Sequence, residues 1–398
     1  MNDIHAAVRR AESLPVRFTA SGSEYFRIWI ANLLLTLLTL GLYHPWAKVR
    51  KLRYFYGNTW VGDHAFDFHG DPKRMLRGTL LVGAMFIAYS AAGQFDPSAG
   101  LIALAIVAGI LPALFLASMR FRMANTSWRG MRFHFTGSMR GAYQALLPVL
   151  LPAALFFGFT LLIPEPDTAQ AADAVGPPAW AMASMGVLVL ATLALMPLMF
   201  WGLKRYQHGH YALGKVQSRL QAGPGAFYLL FLKTFGVTLL TTLVIAIAVV
   251  ALSTVFGFAS ALGGGGLARG GSVVTIMVFV LMGIAGYIAL LVVSNTFMAS
   301  RLQNLVWSAT RSAEVRFTSD LRLAPLMGLT LKNWLLIVLT LGLYWPFAAV
   351  ASARIKLEAV TVHTRGSLDE LTARAGRAGA TDASGDAAGE LFGLDVGL

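Results

Sequence analysis

Eight stretches of this chain approach the roughly 20 apolar residues that a helix needs to cross a hydrocarbon layer about 30 Å thick, and no other feature narrows the fold so far. They run approximately over 28–47, 76–94, 100–119, 142–163, 179–203, 226–257, 273–299 and 327–350. Of 398 residues, 56% are apolar and only 13% charged, with a mean hydropathy of +0.63, more apolar surface than a water-soluble core of this size absorbs. The expected fold is an all-α polytopic membrane protein whose surplus apolar surface faces lipid.

Charge orients the stretches. Lys and Arg outnumber Asp and Glu by 32 to 19. No helix-turn-helix, RNA-binding aromatic pattern or zinc-finger spacing accompanies the excess, so nucleic acid is not an expected partner. Cytoplasmic loops beside membrane lipid explain it instead. Arg120, Arg122, Arg129, Arg132 and Arg140 share one loop without an acid, and Lys204, Arg205, Lys215 and Arg219 share another, so both read as inside. The connections holding Asp96, and Glu165 with Asp167 and Asp173, read as outside, as does the glycine run at 263–266 with Arg269. Stretches two to seven then form six clean crossings. The absence of cysteine excludes disulfides, thiolate metal sites and cysteine nucleophiles. The first apolar run starts near Ile28 and has no small-residue cleavage site after it, so the expectation is insertion through the mature helices, without a signal peptide.

The first and eighth stretches carry a repeat. Residues 32–47 and 333–348 share N-x5-LTLGLY-x-P-[WF]-A. Basic residues flank both stretches on both sides: Arg17 and Arg27 against Lys48, Arg50, Lys51 and Arg53, then Arg316 and Arg322 against Arg354 and Lys356. Each is therefore expected to enter and return, breaking near Gly41 and Pro45 or near Gly342 and Pro346. The rival is simple crossing, with inverted repeats and both termini outside. A second repeat matches Asn58-Thr59-x6-Phe66-x-Phe68-x-Gly70 with Asn125-Thr126-x6-Phe133-x-Phe135-x-Gly137, and Phe18-x3-Gly22 reads as a shorter third copy. Alternating Phe beside Gly suits short cytoplasmic β-strands that could join one sheet. One membrane domain is expected over 1–363, with both termini inside, and a disordered tail over 364–398.

The segments GLYHPWAKVRKLRY at 41–54, GNT at 57–59 and LTLGLYWPFA at 339–348 resemble the YjgN-like family of bacterial inner-membrane proteins of unassigned function. The likeness runs from about Phe18 to His363. It implies an inner-membrane address and no established chemistry. The second copy has Phe347 for Trp46, Ala349 for Lys48 and Ala351 for Arg50, so its basic edge is gone.

Two sets of candidate residues follow. Asn32, Gly41, Tyr43, Pro45 and Trp46, with Asn333, Gly342, Tyr344, Pro346 and Phe347, could frame a cavity in which broken helices offer carbonyls to an ion or headgroup. The plainer reading makes Tyr and Trp interfacial anchors, Pro a helix end and Asn an interhelical bond. Arg53, Arg120, Arg122, Lys204, Arg205 and Arg301 follow inner helix ends, where each could meet an anionic lipid phosphate or simply set topology. Lys233 is expected to snorkel to the interface. His208-x-His210 suits a strand, and with His64, His69 and His134 it lacks metal-ligand spacing, so neither a metal nor any other cofactor is expected. No phosphate-binding lysine loop, nucleophile elbow or intramembrane carboxylate pair points to an enzyme. Two functions remain: a transporter or channel-like protein with the repeated stretches flanking a cavity, or a non-catalytic protein organising lipids or protein partners through a basic cytoplasmic face. Membrane lipids are the expected partners, and the sequence names no protein partner.

Overall fold

Short strands alternate with pairs of antiparallel helices along the whole described chain. The computed structural model describes residues 12–95, 97–160, 178–214, 216–262 and 270–365. Strand β1 (Glu12–Phe18) leads into α1 (Gly22–Leu38) and α2 (His44–Gly57), followed by β2 (Thr59–Val61) and β3 (His64–Phe68). Helices α3 (Pro72–Phe95) and α4 (Pro97–Ala124) return to β4 (Thr126–Trp128) and β5 (Met131–Phe135). Next come α5 (Met139–Thr160), α6 (Ala179–Gly209) and three brief strands, β6 (Tyr211–Leu213), β7 (Val216–Gln217) and β8 (Arg219–Leu220). The remainder is α7 (Pro224–Leu262), α8 (Gly270–Ala309), β9 (Thr310–Arg311), β10 (Val315–Ser319), α9 (Leu323–Leu339), α10 (Trp345–Glu358) and β11 (Val360–Thr364).

All eleven strands join one sheet in the order β7-β6-β5-β4-β3-β2-β1-β11-β10-β9-β8. The two outermost strands are separated only by Ser218, so one bent segment joins both ends of the sheet and closes it into a ring. Buried Ser218 pins the bend: its Oγ donates to the carbonyls of His208 at 2.7 Å and Tyr211 at 3.1 Å, and its N–H to Tyr211 at 2.8 Å. Strand alternation turns Val16, Val61, Phe66, Trp128, Phe133 and Phe317 to one apolar cluster, joined by Trp307 from α8, so the interior of the ring is filled with side chains.

Each helix pair leaves one strand and re-enters the sheet at that strand's neighbour. Adjacent strands are antiparallel, so all five hairpins rise from the same end of the ring and the tight turns lie at the other. The same bond fastens the foot of every hairpin. The N–H after the outgoing strand donates to the carbonyl before the returning one: Thr19 to Asn58, His69 to Asn125, Thr136 to His210, Gln221 to Ala309 and Asp320 to Ala359, at 2.8–3.0 Å. Neighbouring hairpins pack side by side, and α10 returns to α1. Gly22 makes that last contact close, since a Cβ there would stand 2.7 Å from the Phe347 ring.

Several expectations change. The class is broader than all-α, because the short strands assemble into the sheet on which every hairpin stands. Five of the six expected crossings, α4 to α8, are described helices long and apolar enough to cross a membrane. Helix α3 has 24 residues, but Lys73, Arg74 and Arg77 in its first turns lower its hydropathy. The first and eighth stretches are not single helices. They break at 39–43 and 340–344 into the hairpins α1–α2 and α9–α10, each of which ends on the strand beside its start. The break precedes the prolines. Leu40 and Gly41 have φ of 49° and 92°, as do Leu341 and Gly342, while Pro45 and Pro346 sit in the first turn of the following helix, where a missing N–H costs nothing. The foot bonds align Phe18 with Phe68 and Phe135, so Ala20, not Gly22, corresponds to Gly70 and Gly137. His208 closes helix α6 and His210 caps it, because the helix runs two turns beyond its apolar stretch. Asp96, Glu165, Asp167, Asp173, Lys215, Arg269, the glycine run at 263–266 and the expected tail from 366 on lie outside the described residues, while Thr364, placed in that tail, is buried at the end of β11.

Candidate functional site

The two LTLGLY turns carry the most exposed large apolar side chains among the described residues: Leu40 and Leu341 are each 94% exposed. Their backbone is nevertheless satisfied from within. Leu40 N–H donates to Leu37 O at 3.2 Å, Gly41 to Thr36 O at 2.8 Å and Leu42 to Thr39 O at 3.1 Å, while Thr39 Oγ1 accepts from Tyr43 N–H at 3.0 Å. The same four bonds recur at Leu341, Gly342, Leu343 and Tyr344, at 3.1, 2.7, 3.0 and 2.9 Å. Apolar side chains around an internally bonded turn are what hydrocarbon tolerates.

The aromatic residues of each turn pack locally. Tyr43 stacks on Trp46 with centroids 6.1 Å apart, and Tyr344 on Phe347 at 5.4 Å. Phe347 also meets Phe26 of the first hairpin at 5.7 Å. Asn32 and Asn333 are buried, each reaching across its own hairpin: Nδ2 donates to Ala47 O at 3.4 Å and to Ala348 O at 3.5 Å. Asn333 Nδ2 also donates to Ser352 Oγ at 3.3 Å, and neither Oδ1 has a partner. The ten residues thus gather into two matching tips, one on each hairpin, and Phe347 of the second reaches Phe26 of the first.

The basic residues form a more informative pattern. Five residues before each foot carbonyl, the returning helices carry Arg53, Arg120, Arg205, Asn304 and Arg354. Four of these donate to the start of the next hairpin: Arg53 to Phe68 O and Gly70 O at 3.3 Å, Arg120 to Gly137 O at 3.0 Å, Asn304 to Leu321 O at 3.1 Å and Arg354 to Ala20 O at 2.6 Å. At two of these positions the adjacent ring leaves room only for glycine, since a Cβ on Gly70 or Gly137 would lie 2.4 Å from its neighbouring Phe ring. In the third hairpin the acceptor is taken by Trp201 Nε1, 2.8 Å from Ala222 O, and Arg205 lies exposed over the Trp201 ring at 4.9 Å. Arg122 Nε donates to Tyr56 Oη at 3.2 Å, and Arg301 lies over Phe297 at 5.6 Å. Of the six cations read from the sequence, Arg53, Arg120 and Arg122 therefore bond within the protein, Arg205 and exposed Arg301 rest on aromatic rings, and Lys204 is half-buried beside Arg205 on α6. Asn304 and Trp201 escaped the sequence reading and Arg354 entered it only as a flanking charge, although Arg-x4-Asn-Thr at 53–59 and 120–126 carried the signal.

The outer face of the sheet is polar. A cleft of about 700 Å³ over β2 to β5 is lined by Trp60, Asp63, His64, Asp67, His69 and Arg132. Charges alternate there: Arg17 pairs with Asp63 at 3.7 Å, and Asp67 and Arg132 flank Ser127 across strands. Among the described residues no group of three His, Asp or Glu is placed to hold a metal. His69 and His208 instead meet the Ser127 and Thr310 hydroxyls at 2.8 and 3.1 Å, and His210 Nδ1 meets Tyr206 O at 2.8 Å. Desolvation pushes the Tyr211 hydroxyl up to about 12, with nearby Arg122 opposing, so it carries no charge at neutral pH.

The family model described as a bacterial protein of unknown function (DUF898) matches residues 13–391. "Inner membrane protein YjgN" of Salmonella typhimurium is 34% identical over 142 residues, 35% of this chain and 36% of that protein. The protein of the same name from Escherichia coli K12 is 29% identical over 153 residues, 37% of this chain and 38% of its own. The matched part spans little more than a third of the length of these curated relatives. No solved structure matches. The likeness carried by the tyrosine-proline turns is thereby matched over most of the chain.

Proposed function

This chain belongs to the DUF898 family of bacterial proteins, matched over residues 13–391, and from that premise we propose that it is a non-catalytic inner-membrane protein that organises lipid and does not conduct solutes. The inner-membrane address follows the printed names of its relatives. In this reading the sheet lies in the cytoplasm with both termini. The feet of the hairpins carry nearly all the basic residues, whereas the distal connections carry Asp96, Glu165, Asp167 and Asp173 against Arg269 alone. Hairpins α3–α4, α5–α6 and α7–α8 cross the bilayer. Hairpins α1–α2 and α9–α10 enter and return, their first helices having 17 residues, about 25 Å at 1.5 Å per residue, with apolar tips buried in lipid.

The observation that carries the reading is the filled interior of the ring. A water path between the hairpins would end on Trp128, Phe133 and Phe317, and the two buried amides bond within their own hairpins. Lipid contact has a better address. At the level where four equivalent side chains are bound to backbone, Arg205 is exposed beside Lys204 and Trp201, suited to the phosphate of an anionic phospholipid. Purified protein in vesicles should give no ion or small-solute flux above that of empty vesicles. Native mass spectrometry should find anionic phospholipid retained by the wild type and depleted by Lys204→Gln with Arg205→Gln. Flux rising with protein content would sink the proposal.

A further inference from the structure

On the sector of the ring opposite the mixed-charge cleft, the sheet places like charges directly across from one another. Arg219 of β8 is the cross-strand partner of Arg311 of β9, Arg311 is the partner of Arg316 of β10, and Arg316 is the partner of His363 of β11. The three arginines are exposed, while Leu220, Thr310 and Phe317, which alternate with them, turn inward. No acid occupies an outward position on β8 to β11, and no ion pair joins these arginines to another described residue. The nearest acids in sequence stand off the strands, with Glu314 in the β9–β10 turn and Asp320 paired to Arg322 at 3.5 Å. His363 Nε2 shares a hydrogen bond with Thr318 Oγ1 at 2.8 Å.

Like charges directly opposite on neighbouring strands destabilise a sheet. Elsewhere this sheet intersperses its charges, as Arg17 with Asp63 and Asp67 with Arg132 show. Two of the row's three strands, β8 and β9, have only two residues and lie at the ring's closing segment, where added repulsion is least affordable. Strands about 4.8 Å apart spread three guanidinium groups over about 10 Å, the reach of two or three linked phosphoryl groups. Each planar fork matches phosphate oxygens in pairs.

We propose that Arg219, Arg311 and Arg316 form a binding site for a polyphosphate-bearing anion on the outer face of the ring. The proposal rests on the cytoplasmic placement of the sheet argued above, and not on lipid binding at Arg205. Its chemistry fits a free polyphosphate or a phosphorylated headgroup, and the two are separable. In nanodiscs of phosphatidylcholine, sodium triphosphate should bind the wild type saturably and raise its unfolding temperature. Arg311→Gln, at the centre of the row, should weaken binding at least about tenfold, as expected when a charge-assisted contact is lost. The same variant without ligand should unfold no earlier than the wild type, because it relieves repulsion. Arg132→Gln on the opposite sector and Arg205→Gln at the lipid position should leave triphosphate binding unchanged. In nanodiscs containing cardiolipin, whose headgroup links two phosphates, competition between that lipid and triphosphate that vanishes in Arg311→Gln identifies a headgroup ligand. Affinity independent of lipid identifies a free one. Absence of saturable triphosphate binding together with absence of any Arg311-dependent lipid retention overturns the proposal, as does binding that survives Arg311→Gln at full strength.

Discussion

Asn32→Leu should stabilise this protein, which is unusual for removal of a buried amide at a hairpin crossing. Asn32 is 7% exposed, and its one side-chain bond, Nδ2 to Ala47 O, is 3.4 Å long. A bond of that length contributes at most about 0.5 kcal/mol. Its Oδ1 is buried without a partner, a state that costs about 1–3 kcal/mol. Leucine has a similar volume and removes both terms, so the net gain is about 0.5–2 kcal/mol. Asn333 is the internal control. Its Oδ1 is also orphaned, but Nδ2 bonds both Ala348 O and Ser352 Oγ, and Leu at 333 would strand that hydroxyl. Asn333→Leu should therefore lie near zero, about 1 kcal/mol below its twin. The comparison is made by thermal or denaturant unfolding in nanodiscs, followed by circular dichroism. If Asn32→Leu destabilises by more than about 1 kcal/mol, the orphaned oxygen has a partner such as water, the hairpin is not dry, and the argument against a polar path fails.

Other outcomes follow from the feet and the tips. Arg354→Met removes the 2.6 Å bond to Ala20 O that ties the last hairpin to the first, and should cost about 1.5–3 kcal/mol in the same unfolding assay. Arg205→Met, at the equivalent position without that bond, should cost under about 0.5 kcal/mol, as for an ordinary surface change. Gly137→Ala would bring a methyl within 2.4 Å of Phe135 and 2.6 Å of Tyr206 Oη, and should destabilise by about 1–3 kcal/mol, measured as a lowered unfolding temperature. Gly41→Ala meets nothing within 4 Å yet must hold φ at +92°, so its smaller loss, about 1–2 kcal/mol, should be indifferent to changes in neighbouring side chains. With no native cysteine, single cysteines at Ser13 and Leu40 report topology. Impermeant thiol reagents should reach Ser13→Cys only after the cytoplasmic side is opened, and Leu40→Cys from neither side.

The hairpin form of the repeated stretches was legible because charge flanks both ends, and two basic flanks fit one face of a membrane better than two. Their tips were legible through Gly41 and Gly342, where the chain does turn, while Pro45 and Pro346 only open the next helix and the bridging of the turn by Thr39 went unread. The sheet was visible only where aromatic alternation advertised it, at Phe66 with Phe68 and Phe133 with Phe135. Strands β6 to β9 have two or three residues each and no such pattern, so the closure through Ser218 had no sequence signal. The fivefold foot was hidden for a related reason. It is held by backbone bonds, which leave side-chain identity free, so Leu220-x-Ala222 and Ser319-x-Leu321 stand where Phe68-x-Gly70 stands in the second hairpin. The arginine row at β8 to β10 was invisible because its members become neighbours only through strand register.

The seam between β1 and β11 sets the order in which this molecule can be completed. Among the described residues β1 is the first strand and its partner β11 the last, so β1 must hold one edge unpaired while the ten described helices are made and inserted. Until then the nascent sheet is an open ribbon with exposed edges, the form most liable to pair wrongly. A chain interrupted after α8 would keep all five described helices that are long and apolar enough to cross a membrane and still lack a closed base. For this architecture a late truncation is as damaging as an early one, because the ring has no edge that can be left off.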